Sequence, residues 1–147
     1  MRTDFTEKAY HFLEDTGIEV TVQLHDNPNV KVRAYVLKPE IFGTVPMYLL
    51  STDVEGNDYL SKTITNHLYD ANEMCRVSQS IVLGIGGAKV VEALGGADVY
   101  HLNEGHALPA FYYLKDKIDS HTNMQENLIK MMEKLSITID KEKTQIN

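Results

Sequence analysis

Cysteine is nearly absent from this sequence, and so is any long apolar run. Cys75 is the one cysteine among 147 residues, so the sequence predicts no internal disulfide and no cysteine-based zinc site. The longest apolar stretch, Ile81 to Ala88, contains three glycines and is much shorter than a membrane span. The N-terminus has no apolar signal core. These absences predict a protein of a reducing compartment, the cytoplasm.

Positive charge is also scarce. Fourteen lysines and arginines stand against 21 acidic residues, which gives a formal net charge of −7 and a pI of about 5.3. The basic residues are scattered along the chain, so we expect no general attraction to nucleic acid or to anionic lipid. Hydrophobic residues make up 43% and charged residues 24% of the chain, as is usual in folded proteins. This length and composition predict one domain with a hydrophobic core.

Two runs of alternating apolar residues predict a β-hairpin near the N-terminus. Val20, Val22 and Leu24 alternate with polar residues, and the same alternation returns from Val30 to Val36. Residues 26–29 read Asp-Asn-Pro-Asn, a combination that favours a turn. The hairpin is therefore antiparallel.

A third strand is predicted from Val45 to Leu50. Pro46 has no N–H to donate to a sheet, so we expect an edge strand or a strand that begins near this residue. From Ser51 to Asp70 the sequence is polar and weakly periodic, which predicts a long loop with at most a short helix.

The following residues predict a helix, a strand and a second helix. Asp70 and Glu73 have the spacing of a capping box, and apolar residues follow at helical spacing until two glycines, Gly95 and Gly96. Ala97 to Leu102 is rich in strand-forming residues, and Ala107 to Ile118 has helical spacing. Strand and helix in alternation are typical of a parallel sheet with crossover helices. The predicted fold class is α/β, with the antiparallel hairpin at its N-terminal end.

The predicted strand and the helix after it are joined by four polar or flexible residues: Asn103, Glu104, Gly105 and His106. In doubly wound sheets, ligands bind beyond the carboxyl ends of the strands, which makes this loop a candidate binding site. Gly105 would let the backbone approach a ligand closely, and free N–H groups at the helix start could meet an anion or a sugar hydroxyl. A plainer interpretation also fits, in which Asn103 caps the helix and His106 is a surface residue.

Two other patterns favour structure over chemistry. Three glycines at residues 84–87 lie within a helical pattern, where each costs roughly 0.8–1 kcal/mol relative to alanine. Lys89 stands where G-x-G-x-x-G needs its last glycine, so we expect close packing here rather than a dinucleotide site. The H-x-x-E-x-H spacing of residues 101–106 differs from H-E-x-x-H, so no metal site is predicted.

Three segments resemble the α-glucan phosphorylases of the shorter bacterial and archaeal type. They are VPMYLLSTD (Val45 to Asp53), TITNHLYDANEMCRVSQSIVLGIGG (Thr63 to Gly87) and ADVYHLNEGHA (Ala97 to Ala107). The hairpin before them is similar too, so the resemblance covers roughly Gly17 to Leu114. Its most specific parts are R-x-x-Q-x-x-x-L-G-I-G-G, which starts at Arg76, and the N-E-G-H loop. Residues 1–114 are thus interpreted as part of a phosphorylase-like N-terminal domain.

The resemblance implies both a fold and an activity. These glycosyltransferases have two Rossmann-like domains, and they use inorganic phosphate to release glucose 1-phosphate from α-1,4-glucan with retained configuration. By position, His106 resembles the catalytic histidine that contacts the glucosyl unit, Asn103 to Gly105 resemble its supporting loop, and Arg76 and Gln79 resemble residues of a helix along the substrate site. A neutral histidine can donate to or accept from a sugar hydroxyl, and such bonds help an oxocarbenium-like transition state.

Several features of the family are missing from these 147 residues. Its pyridoxal phosphate and its phosphate-holding basic residues belong to a C-terminal domain, its early glycine-rich sugar loop is not found, and Ser80 stands where an acidic residue is usual. Residues 115–147 depart from the family and are predicted to form a divergent helical tail, with Met124, Leu128, Met131 and Leu135 on one face. The prediction is an incomplete chain without a cofactor of its own, inactive alone, whose partner is a complementary C-terminal domain chain or a second copy.

Two further functions fit the same residues. One is a non-catalytic carbohydrate-binding or interaction module, and the other is a fragment of a nucleotide-sugar glycosyltransferase. Oligosaccharide binding without turnover would favour the first, whereas saturable binding of ADP-glucose would favour the second.

Overall fold

The computed structural model describes residues 12–68 and 70–145; for Phe42 and residues 132–145 it describes the backbone alone. The chain divides into two compact units, Met1–Phe111 and Tyr112–Asn147. The elements follow in this order: β1 (Leu13–Val22), β2 (Val30–Leu37), α1 (Pro39–Phe42), β3 (Met47–Ser51), α2 (Tyr59–Thr63), α3 (Glu73–Ile81), a π segment (Val82–Gly86), α4 (Gly87–Ala93), a 3-10 turn (Gly105–Ala107) and α5 (Leu108–Gln145).

Three antiparallel strands form the sheet, in the order β1-β2-β3. Alternation places Val30, Val32 and Ala34 of β2 on one face, where each is fully buried. On β1, Val20 lies opposite Val32 and Val22 lies opposite Val30, so apolar side chains of neighbouring strands meet. The predicted hairpin is confirmed.

The third strand, β3, also agrees with the prediction. It pairs only with β2 among the described strands, and Pro46 lies directly before its first residue. A proline at this place leaves the ladder of hydrogen bonds to β2 complete. The loop predicted after β3 holds one short helix, α2.

The predicted Rossmann-like parallel sheet is wrong, because the described residues contain three antiparallel strands and no parallel pair. Ala97 to Leu102, predicted as a parallel strand, is irregular, and the side chain of Val99 is 80% exposed. Strand propensity expresses itself only where a neighbouring strand and a buried face are available, and this segment has neither. The connection from β2 to β3 is also too short for the crossover that a parallel pair requires.

One continuous helical stretch runs through α3, the π segment and α4. It begins at Asn72, whose side chain accepts a hydrogen bond from the backbone N of Cys75 at 3.1 Å. The cap is therefore two residues later than the predicted Asp70. The stretch ends before Gly95 and Gly96, as predicted, and both glycines have positive φ, at 110° and 85°.

This helical stretch packs directly on the sheet. The core cluster consists of Val22, Val30, Val32, Ile64 and Val82. Gly86 lies so near the sheet that an added Cβ would be 3.4 Å from Cγ1 of Val22. At Gly84 an added Cβ would be only 2.7 Å from the backbone N of Ala110. The prediction that the glycines serve close packing is confirmed for Gly84 and Gly86, whereas at Gly87 an added Cβ would have only an ordinary contact of 3.9 Å with Leu50.

The last helix differs from its prediction. Two helices were expected, at Ala107 to Ile118 and around Met124 to Leu135, but α5 runs without a break from Leu108 to Gln145. Residues 119–123 contain neither glycine nor proline, so nothing in the sequence stops the first helix. Among the described residues, no helix is both apolar enough and long enough to span a membrane.

Asp58 fixes the loop between β3 and α2. Its carboxylate caps α2 by accepting from the backbone N of Ser61 at 3.0 Å and from the hydroxyl of Ser61 at 2.6 Å. It also accepts from Nδ2 of Asn27 at 2.8 Å, which ties the loop to the hairpin turn. These hydrogen bonds, above all those from Ser61, lower the pKa of Asp58 from 3.8 to about 2.

The lowered pKa predicts how Asp58 contributes to stability in acid. Because the folded pKa of Asp58 lies below its unfolded pKa, its contribution is complete above pH 3.8 and is lost as the pH falls toward 2. We expect the difference in free energy of unfolding between wild type and Asp58→Asn to be constant from neutral pH down to about pH 5, and then to shrink. Urea unfolding over a pH series measures it, and a difference that grows in acid would contradict the assignment.

Candidate functional site

A concave surface lies within the first unit, between β3, the α3–π helical stretch and the 3-10 turn. It consists of two adjoining cavities, which we call the groove. The first has a volume of about 380 Å³ and the second about 500 Å³, within the range of small-molecule sites. The two cavities share four lining residues: Tyr48, Leu50, Leu83 and His106.

His106 lies where both cavities meet. It is exposed, and it belongs to the 3-10 turn that leads into α5. Asn103 lines the second cavity together with His106. Glu104 and Gly105 line neither cavity, so among the four residues of the loop the structure brings Asn103 and His106 to the groove.

Glu104, two residues before His106, has an unusual backbone conformation. Its φ of 60° and ψ of −171° fall in a region that is almost restricted to glycine. Such a conformation costs on the order of 1–3 kcal/mol and persists only where the surrounding structure holds it. Gly105, the next residue, has nothing within 4 Å of an added Cβ. The residue with the unfavourable backbone angles in this loop is therefore Glu104 and not the glycine.

Arg76 and Gln79, both on α3, line the first cavity. The Gln79 amide is occupied, because its Nε2 donates to the carbonyl oxygens of Ile64 at 2.8 Å and His67 at 2.7 Å. Gln79 therefore holds the backbone of the loop after α2, which brings Thr65 and His67 to the cavity. Arg76 is the lining residue on this side that carries a full positive charge.

The π segment forms another wall of the groove. Val82 and Leu83 line the first cavity, and Leu83 and Gly84 line the second. A π turn is wider than an α turn and often occurs at functional sites. Here the π segment begins directly after α3, the helix of Arg76, and it contains Gly84 and Gly86, the two glycines that pack closely. The helix irregularity and the groove thus coincide.

Sequence reasoning missed part of the lining. Tyr48, Leu50 and Leu83 supply apolar surface, and Thr65 and His67 supply polar groups. Thr65 is held in place by Thr52, whose backbone N donates to Oγ1 of Thr65 at 3.1 Å. These residues belong to the segments that resemble phosphorylases, but the sequence does not show that they meet, since they are distant along the chain and are brought together by the contact between β3 and the helical stretch.

Neither cavity fits a pyridoxal phosphate Schiff base, because no lysine lines either of them among the described residues. The same part of the chain contains no cluster of three or more histidine, cysteine or acidic side chains that could hold a metal ion. The groove instead combines aromatic and aliphatic surface with a few polar groups, which is the composition of a site for a small polar organic ligand.

Comparison with known proteins finds three informative relatives. An uncharacterized protein of Methanocaldococcus jannaschii is 45% identical over 114 residues, which are 78% of this chain and 22% of the relative. Maltodextrin phosphorylase of Thermococcus litoralis is 49% identical over 107 residues, which are 72% of this chain and 11% of that enzyme. Glycogen phosphorylase of Mycobacterium tuberculosis is 36% identical over 94 residues, which are 60% and 10% of the two chains.

No protein-family model and no solved structure matches the chain. The chain spans about 10–22% of the length of these curated relatives. Two of them are α-glucan phosphorylases by name, and the identities are well above those of unrelated proteins. Over part of its length, this chain is therefore homologous to the glycogen and maltodextrin phosphorylases.

Proposed function

We propose that this chain supplies part of the sugar site of an α-glucan phosphorylase, and that the groove holds a glucosyl unit of the glucan. The observation that supports the proposal is the position of His106, which lies at the junction of two cavities within a region homologous to phosphorylases. The substrates on this proposal are α-glucan or maltodextrin and inorganic phosphate.

The lining of the groove suits a pyranose ring. A sugar presents hydroxyl groups around its edge and C–H groups on its faces, so it needs both hydrogen-bonding and apolar partners. Tyr48 and Leu83 offer the apolar surface, and the Asn103 amide and the His106 imidazole each offer a donor and an acceptor. Hydrogen bonds to the ring substituents strengthen as positive charge develops in an oxocarbenium-like transition state, which gives His106 its proposed catalytic role.

Arg76 has a different proposed part. Arg76 lines the first cavity on the side formed by α3, and its guanidinium bears a permanent positive charge. Five N–H donors in a fixed plane can bind adjacent sugar hydroxyls. Pyridoxal phosphate, which the family resemblance implies for the complete enzyme, would supply the phosphate-activating group. We therefore expect glucan binding by this chain, and no release of glucose 1-phosphate without a cofactor domain.

Replacement of His106 tests the proposed sugar contact. We expect His106→Ala to weaken maltopentaose binding by about 5–10-fold, because one to two hydrogen bonds to the sugar are lost. The matched control is His101→Ala, since His101 is an exposed histidine five residues earlier that lines neither cavity. Isothermal titration calorimetry measures both affinities.

Three results would contradict the proposal. The first is equal binding of maltopentaose by wild type and His106→Ala, and the second is an equal loss in His101→Ala. The third is saturable binding of ADP-glucose that is tighter than that of maltopentaose, which would favour a nucleotide-sugar enzyme. Release of glucose 1-phosphate by the chain alone would instead disprove the dependence on a cofactor domain.

A further inference from the structure

Helix α5 presents an apolar face that the described side chains of the second unit leave exposed. On this face the side chains of Ile118 and Leu128 are 65% and 56% exposed, and Met124 and Met131, on the flank of the same face, are more than half exposed as well. In proteins most of the stability of a helix comes from packing of its apolar face, so the 38 residues of α5 would gain stability from a partner on that side. Exposed apolar surface of this extent marks a site of association.

The spacing of the apolar residues indicates what the partner is. From Leu114 onward, eight positions are spaced alternately by four and three residues (114, 118, 121, 125, 128, 132, 135 and 139), and all but 121 and 125 are apolar. This period of 3.5 residues is that of a coiled coil, in which one helix packs along another in a left-handed supercoil. Residues 114–139 comprise almost four heptads and extend for about 39 Å, which is long enough for a stable pair.

Two core positions between these apolar residues are polar, and they favour an identical partner. His121 and Gln125 occupy the places where the repeat expects apolar side chains, and both are exposed in this chain. In a parallel pair in register, each core residue meets its own copy, so the amide of Gln125 can donate to the amide of the other Gln125. A partner without polar residues in these two layers would leave them unsatisfied.

The charge of α5 also permits self-association. Leu108–Gln145 contains six lysines and six acidic residues, so this helix is neutral while the other residues carry the whole net charge of −7. Two copies of α5 therefore attract through their apolar faces without net repulsion between the helices. Repulsion between the acidic remainders is screened at physiological salt.

We propose that a second copy of this chain covers the apolar face, and that residues 114–139 of two α5 helices form a parallel, in-register coiled-coil dimer. Sedimentation equilibrium of the full chain is expected to give twice the chain mass of 16.6 kDa. Leu128→Glu, which places two carboxylates in one core layer, is expected to weaken dimerisation by about 100-fold or more. Asn127→Glu adds the same charge at a position outside the core, and it should remain dimeric.

Cross-linking tests the register. In a Cys75→Ser background, Gln125→Cys should form a disulfide-linked dimer under mild oxidation, because the two core positions of a parallel pair are close enough for a disulfide. Asn127→Cys should not, because this residue faces away from the partner. A monomeric wild type, equal dimerisation of Leu128→Glu and Asn127→Glu, or equal cross-linking at residues 125 and 127 would each overturn the proposal.

Discussion

Asn57→Asp is expected to lower the free energy of unfolding by about 3 kcal/mol at pH 7, because it breaks a buried polar contact. Asn57 is 8% exposed, and its Oδ1 accepts from the backbone N of Lys31 at 2.9 Å. Its Nδ2 donates to the carbonyl oxygens of Lys31 and Thr52, both at 2.8 Å. Aspartate keeps the acceptor but replaces the two donors by a charged oxygen that faces two carbonyls.

The loss should depend on pH in a defined direction. The new carboxyl is buried and faces acceptors, so its folded pKa lies above the unfolded value of about 3.9. A protonated carboxyl can restore one donor, and the variant is therefore least destabilised in acid and more destabilised as the pH rises. The quantity to compare is the difference in free energy of unfolding between this variant and a control variant at each pH. Asp58 is present in both proteins, so its own acid titration cancels from that difference.

Asn29→Asp is the matched control for Asn57→Asp. It makes the same change at an exposed position in the hairpin turn, where we expect a change within about 0.5 kcal/mol. Urea unfolding at equal chain concentration measures both variants. Equal stabilities for the two variants, or a loss that is greatest in acid, would show that Asn57 does not join β2 to the loop as described.

Gly84→Ala is expected to cost about 2 kcal/mol, although alanine favours helices over glycine. The added Cβ would lie 2.7 Å from the backbone N of Ala110 and 3.0 Å from Cβ of Pro109. A backbone atom cannot move aside as the end of a flexible side chain can, so the first turn of α5 would have to shift. That shift would also disturb the 3-10 turn and His106.

Gly87→Ala separates this contact from helix propensity. An added Cβ at Gly87 meets only Cδ1 of Leu50, at an ordinary distance of 3.9 Å. Here alanine should raise the free energy of unfolding by up to about 1 kcal/mol, since the glycine has no steric reason. Thermal and urea unfolding of the two variants test the pair. If Gly84→Ala were as stable as Gly87→Ala, the close approach of α5 would be disproved.

Local patterns predicted the local elements well. The alternation in Val20 to Leu24 and Val30 to Val36 determines the hairpin, because one face of each strand must be buried. The spacing after Glu73 predicted the long helical stretch, and its glycines indicated close packing before any neighbour was known. For the hairpin and the helix, the decisive interactions lie between residues that are close in sequence, whereas the partners of Gly84 and Gly86 are 26 and 64 residues away and could not be named in advance.

Features that depend on residues distant in sequence were predicted less well. The strand propensity of Ala97 to Leu102 favoured a parallel strand, but a strand also needs a neighbour, and no local pattern specifies one. The two helices expected at Ala107 to Ile118 and around Met124 to Leu135 are a single helix, because residues 119–123 contain no glycine or proline that would end the first one. The resemblance to phosphorylases was confirmed, whereas the Rossmann-like sheet inferred from it was not.

For the candidate site, the sequence indicated the loop and the α3 residues but not their surroundings. His106, Asn103 and Arg76 line the groove, and their roles in sugar binding stay predictions. The structural role of Gln79 could not be predicted, because its side-chain amide donates hydrogen bonds to the carbonyl oxygens of residues 12 and 15 positions earlier. Contacts of this kind follow from the fold rather than from a motif.

The central claim is tested most directly by NMR: the chain is labelled isotopically at its histidines and titrated with maltopentaose. The chain has six histidines, and His106 and His67 line the groove. The proposal predicts that the imidazole resonances of His106 and His67 shift and saturate with the sugar, while those of His25, His101 and His121 do not. A His106 resonance that stays unchanged at saturating maltopentaose would contradict it.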